Sequence, residues 1–122
     1  AVVSFASPAT MLARQYPREA IERFRDMGII RDDSFPDSID EWAYESEKLS
    51  PDRSVENISP CPILVIHGTS DEVVPVESAS ILYSIAGDPK QLKILENVGH
   101  RLRSEPEALT YAIDWLKTVF VS

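Results

Sequence analysis

Two titratable residues in the second half of the chain stand where apolar runs give way to turns. Asp71 follows Pro62-Ile63-Leu64-Val65-Ile66-His67-Gly68-Thr69-Ser70, and His100 follows Leu92 to Leu95 and the turn Asn97-Val98-Gly99. A carboxylate that accepts from one imidazole nitrogen fixes the tautomer, leaves the other nitrogen as a base and stabilises the imidazolium that forms. An Asp–His pair of this kind is two-thirds of a hydrolytic triad. The third member of such a triad is a nucleophile, and the serines near these residues read otherwise. Ser7 precedes Pro8 without flanking glycines and reads as a turn residue, as does Ser70, while Ser104 reads as a helix cap. His67, at the end of a buried run beside Gly68, reads as a hydrogen-bonded structural histidine, and Glu72 as solvated. Arg101 and Arg103 flank His100; solvation or a carboxylate partner is their default, an acidic substrate the alternative. Trp42 and Tyr44 either line a pocket or form a small hydrophobic core.

For Asp71 and His100 to meet, the elements before them must be neighbouring strands. Residues 1 to 6 are β-branched and aromatic and are stopped by Ser7-Pro8, which predicts a short strand. The run from Pro62 to Ile66 has the pattern of a strand buried on both faces of a parallel sheet, and Leu92 to Leu95 reads as a third strand. Between the first two lie a helix opened by Pro17 and ended by Gly28, carrying Ile21, Phe24 and Met27 on one stripe, and a second over 38 to 48 capped by Ser38 and Glu41. Residues 8 to 15 are expected to form a helical turn, and the remaining Asp, Ser and Pro clusters surface loops. A helix from Glu77 to Ala86 precedes the third strand, and a last helix opens with Ser104 and Glu107 as a capping box. The order is that of an α/β domain with a parallel sheet. In such sheets functional groups gather beyond the carboxyl ends of the strands, where Asp71 and His100 stand.

The 122 residues suit one domain, able to bury roughly two-thirds of its unfolded surface. Twelve Lys and Arg against twenty Asp and Glu give a net charge of −8 with the basic positions scattered, which argues against nucleic acid as a partner. The single cysteine, Cys61, cannot form an internal disulfide, and no pair with metal-ligand spacing accompanies it. No metal or cofactor is expected, nor an oxidising compartment, so a cytoplasmic location is anticipated. The longest apolar stretch, Ile63 to Ile66, is far below the roughly 20 residues of a membrane span. No Gly-rich phosphate turn follows any strand, which disfavours a dinucleotide-binding or flavodoxin-like domain.

The stretch from Pro62 to Pro75, in the pattern P-x-L-x-x-H-G-x-x-D-x-x-V-P, resembles the seventh strand and acid loop of the α/β-hydrolase superfamily, and Leu95 to His100 resembles its eighth strand and histidine loop. Ala1 to Ser7 is similar to the sixth strand. The resemblance implies a three-layer α/β fold: residues 1–7 and 60–122 as the C-terminal part of a hydrolase core, holding the last three strands, and residues 8–59 as a helical cap-like insertion. It also implies that Asp71 is the acid and His100 the general base. The departure is the nucleophile. The family places a G-x-S-x-G elbow before the sixth strand, and none occurs here, where the only glycines are Gly28, Gly68, Gly87 and Gly99.

The chain is therefore expected to be the C-terminal half of a serine hydrolase of carboxylic esters or related acyl compounds, similar to esterases, acylglycerol lipases or serine aminopeptidases, and inactive by itself. The start at Ala1, directly in an apolar run without Met or a basic n-region, is read the same way: no signal peptide, and a piece of something longer. A serine peptidase of the same fold and a non-catalytic α/β binding or assembly module are the rivals. Residues 1 to 6, lacking the family's fifth strand beside them, should form an edge that draws the chain into a homo-oligomer, either by edge pairing through Val2, Val3, Ser4 and Phe5 or by packing of the uncovered apolar faces.

Overall fold

The computed structural model describes residues 1–11 and 16–121. Its centre is a parallel sheet in the order β1-β2-β3, formed by Val2–Phe5, Ile63–Gly68 and Lys90–Leu95. The register pairs Val2 with Ile63 and Phe5 with Ile66 on one side of β2, and Ile63 with Lys90 and Gly68 with Leu95 on the other. Every residue of β2 is buried. The period of two in a strand sends successive side chains to opposite faces, and β2 supplies both cores in this way. Leu64 and Ile66 pack with Ala6, Leu95, Leu102, Ala108 and Ala112; Ile63 and Val65 pack with Ala9, Val55, Ala79, Leu82 and Ala86. At about 1.5–3 kcal/mol for each fully buried aliphatic side chain, the run Ile63 to Ile66 is a concentrated source of apolar stabilisation.

Five α-helices among the described residues separate or follow these strands in ways the sequence explains. Helix α1, Pro17–Asp26, has Pro at its start, buries Ala20 and Ile21, and ends where Gly28 adopts φ +69°. Helix α2, Ile39–Lys48, is capped by Ser38, whose Oγ accepts from the Glu41 N–H at 3.2 Å. The two are joined by the edge-to-face pair Phe24–Trp42, with centroids 6.4 Å apart. After a one-turn helix α3, Pro51–Ser54, and a 3-10 turn Val55–Ile58, the chain enters β2. Helix α4, Glu77–Ile85, buries Ala79 and Leu82 against one face of the sheet, and helix α5, Pro106–Val121, buries Ala108 and Ala112 against the other. The result is helix, sheet, helix in three layers.

Several expectations are corrected. Residues 8–11 are not helical, and 12–15, the rest of the expected turn, lie outside the described residues. The stretch 51–58, expected to be loop, forms the α3 and 3-10 turns, because Pro51 suits a first helical position and Val55 and Ile58 pack onto the sheet. Ser104 does not cap α5: it lies in a 3-10 turn, Leu102–Ser104, and the helix opens two residues later on Pro106. The second strand continues through His67 and Gly68, and the third begins at Lys90, whose Nζ donates to the carbonyls of Tyr83 and Ala86 at 2.9 and 2.8 Å.

Candidate functional site

Asp71 and His100 stand in adjacent loops at the carboxyl ends of β2 and β3, and the parallel pairing of those strands brings the loops into contact. Three hydrogen bonds, two of them between backbone groups, clasp them together. The Thr69 N–H donates to the Leu95 carbonyl at 2.9 Å and the Ser70 N–H to the Val98 carbonyl at 3.0 Å, while Thr69 Oγ1 accepts from the Asn97 N–H at 2.9 Å. Asn97, at φ +60°, turns the chain at the end of β3; Asn is among the residues that tolerate this left-handed region. Gly68 makes the clasp sterically feasible, since a Cβ on it would lie 2.1 Å from the Val98 carbonyl oxygen. Beyond His100, the buried Leu102 anchors the segment to the core.

Within this frame the Asp71 carboxylate is held at both oxygens. Oδ1 accepts from the N–H groups of Val73 and Val74 at 2.9 and 2.8 Å, and Oδ2 lies 2.9 Å from Nδ1 of His100. The Asp71 side chain is wholly shielded from solvent, whereas that of His100 is 41% exposed. Burial by itself would raise the Asp71 pKa. The Val74 N–H, the His100 ring and the Val73 N–H, with the charge on His100, together outweigh that desolvation and hold the carboxyl below its ordinary value. A carboxylate accepts only, so the Nδ1 of His100 carries the proton between them. Nε2 of His100 has no partner among the described residues, and the ring is oriented to take or give a proton there. His100 lines a hollow of about 200 Å³ with Phe5, Arg101, Leu102 and Arg103. A larger, shallow hollow of about 670 Å³, flanked by Gln91, Tyr111 and Trp115, lies away from both residues.

The other singled-out residues fall elsewhere. Ser7 Oγ donates to the Pro8 carbonyl, Trp42 packs on Phe24, and Tyr44 is exposed beneath Lys48 Nζ. Arg101 and Arg103 border the hollow beside His100 and make no ion pair among the described residues. What the sequence reading missed is that Nε2 of His67 lies 3.2 Å from Oδ2 of Asp71. The four-residue spacing across the Gly68 turn is the signal that could have found it. Among the described residues no group of three His, Cys, Asp or Glu could hold a metal ion, and no helix is long and apolar enough to cross a membrane.

No family model matches the chain. It is similar over 54 residues, at 37% identity, to the uncharacterized protein YfhR of Salmonella typhi, a stretch equal to 44% of this chain and 18% of that protein. The uncharacterized protein YqkD of Bacillus subtilis is 34% identical over 68 residues, 56% of this chain and 22% of its own length. Among solved structures, a monoacylglycerol lipase of Paleococcus ferrophilus superposes with a TM-score of 0.58 at 18% identity, covering 95% of this chain and 58% of the lipase. A meta-cleavage product hydrolase of Pseudomonas fluorescens IP01 superposes with a TM-score of 0.57 at 19% identity, over 98% and 56% of the two chains. The chain carries part of the α/β-hydrolase fold. It spans under two-thirds of each of these hydrolases and about a fifth of the two curated relatives, so in α/β-hydrolase terms it is a portion of the sheet with its flanking helices.

Proposed function

We propose that this chain supplies the acid and the general base of a serine hydrolase acting on carboxylic esters or related acyl compounds, with the nucleophile and the oxyanion donors contributed from outside these 122 residues. The observation that carries the reading is the 2.9 Å contact between Asp71 Oδ2 and His100 Nδ1, made by a shielded carboxylate and a half-open ring. In the assembled site a serine attacks the acyl carbon, Nε2 of His100 takes its proton, and the tetrahedral intermediate collapses as His100 returns that proton to the leaving group. Asp71 holds the ring in the Nδ1–H tautomer and stabilises the imidazolium.

The test has two arms. A fluorophosphonate probe should leave the 122-residue chain unlabelled and label a longer polypeptide that joins it to upstream strands bearing a G-x-S-x-G elbow. Labelling of the chain alone would place a nucleophile among residues 1–122 and overturn the division of labour. The segment 8–59, with helices α1 and α2, is read as the cap over that site, and the cytoplasm as its compartment. For the chain by itself we propose association through β1. Its outer edge has no strand partner among the described residues, and Val2 is exposed along it.

A further inference from the structure

His67 is a fully buried imidazole that the Asp71–His100 pair does not require. Its Nε2 lies 3.0 Å from the Val74 carbonyl oxygen and 3.2 Å from Asp71 Oδ2. A carbonyl only accepts, so Nε2 carries a proton and donates it. Nδ1 is buried and has no hydrogen-bond partner among the described residues. A histidine kept only as a satisfied core residue would be expected to use both nitrogens, because an unbonded buried polar atom carries a free-energy cost. Here one nitrogen goes without, while the other is directed at the loop that carries the acid.

The loop is held reciprocally. The Val74 N–H donates to Oδ1 of Asp71, and the Val74 carbonyl accepts from His67. Oδ2, the oxygen that meets His100, is thus approached by a second imidazole N–H from the sheet side. Rotating the carboxylate about its Cβ–Cγ bond would break its bonds to the Val73 and Val74 amides and carry Oδ2 away from both rings. The groups facing the carboxylate are His67 from β2, His100 from the loop after β3, and those two amides.

We propose that His67 is a positioning residue for Asp71: its Nε2–H holds the 71–74 loop from beneath and sets the carboxylate so that Oδ2 faces His100. This rests on the reading of Asp71 and His100 as acid and base, and it can fail separately from it.

The experiment is nitrogen-resolved NMR on the 122-residue chain. In the unaltered chain His67 should show the Nε2–H tautomer, and its Nε2 proton should shift as Asp71 titrates. An Nδ1–H tautomer, or a resonance indifferent to Asp71, overturns the proposal without any substitution. The variants test the position of the donor. Gln places its amide nitrogen where Nε2 stood, and Asn places its own where Nδ1 stood. His67→Gln should keep the hydrogen-bonded Nδ1 proton of His100 at its wild-type rate of exchange with water. His67→Asn and His67→Phe should speed that exchange by about tenfold, the loss expected for one charge-assisted hydrogen bond. Equal rates in folded His67→Asn, His67→Phe and wild type, together with loss of the protected proton in Asp71→Asn, would overturn the role of His67 alone. Retention of the proton in Asp71→Asn would overturn the acid–base pair itself. Should the Asn and Phe chains fail to fold, the tautomer and its response to Asp71 decide.

Discussion

Replacing Gly68 with Ala should disable the site from a residue that takes no part in the chemistry. The new Cβ would meet the Val98 carbonyl oxygen at 2.1 Å and its carbon at 2.7 Å, with the Gly99 oxygen at 3.2 Å. These are backbone atoms, which cannot swing aside as a side chain does. Ordinary contact begins near 3.4 Å, so the 98–99 segment must retreat by about 1.3 Å or β2 must yield. Either movement is transmitted to His100, the next residue, and stretches a bond of 2.9 Å beyond hydrogen-bonding reach. Overpacking of this kind costs about 1–3 kcal/mol, and losing the Ser70–Val98 bond adds about 1 kcal/mol. At about 4 °C per kcal/mol for a domain of this size, the melting midpoint should fall by about 8–16 °C. Thermal melting followed by circular dichroism measures this, and the protected His100 Nδ1 proton should be lost in parallel. Gly99→Ala is the internal control, because among the described residues its Cβ would meet the Ser70 oxygen at an ordinary 3.8 Å. A Gly68→Ala chain that melts with the wild type and keeps the His100 proton would refute the steric argument.

Further outcomes can be stated together. In a longer polypeptide carrying the elbow, Asp71→Asn should lower kcat by about 10³–10⁴-fold with little change in KM; an unaltered kcat would remove Asp71 from the mechanism. Because the folded pKa of Asp71 is depressed below 3.8, its contribution to stability is complete above that value and is lost as pH falls through the folded pKa. The stability gap between wild type and Asp71→Asn, from urea unfolding, should therefore be flat at neutral pH and shrink only below 3.8; a gap that widens in acid would reverse the sign. Val3→Lys, at an edge strand, should lower the sedimentation-derived mass of any dimer at micromolar concentration, and a wild-type chain that sediments as a monomer would dispose of the edge-pairing proposal.

The parts of this architecture legible from sequence are those where local chemistry and tertiary context agree. Ile63 to Ile66 could hardly be anything but a doubly buried strand, and the turn residues after it placed Asp71 beyond its end. Pro17 and Ser38 opened α1 and α2 within a residue of where they start. Agreement failed where a weak local signal was overruled. Ser104 and Glu107 have the capping spacing, yet Leu102 is drawn into the core and the intervening turn tightens to 3-10, leaving Pro106 to start α5. Lys90 and Gln91 are polar and look like loop, but an edge strand needs only one ladder, and Lys90 is occupied by the carbonyls at the end of α4. The meeting of Asp71 with His100 was legible because each follows a strand. The contact of His67 with Asp71 was hidden by the burial of His67, which in a sequence reads as structure alone.

The central position of β2 has a dynamic consequence. β1 and β3 each pair with β2 and with no other strand among the described residues, and both cores draw on its side chains. Amide protons along 63–68 are therefore released to solvent only when the whole sheet comes apart, whereas those of β1 can exchange by fraying of an edge. His67 belongs to that slowest segment, and Asp71 hangs from it by four residues and a carbonyl. The acid loop is thus tethered to the slowest-exchanging unit, although it lies at the surface where loops ordinarily open first. Opening of the acid loop must therefore break the bond from His67 to the Val74 carbonyl, a tie that an ordinary surface loop lacks.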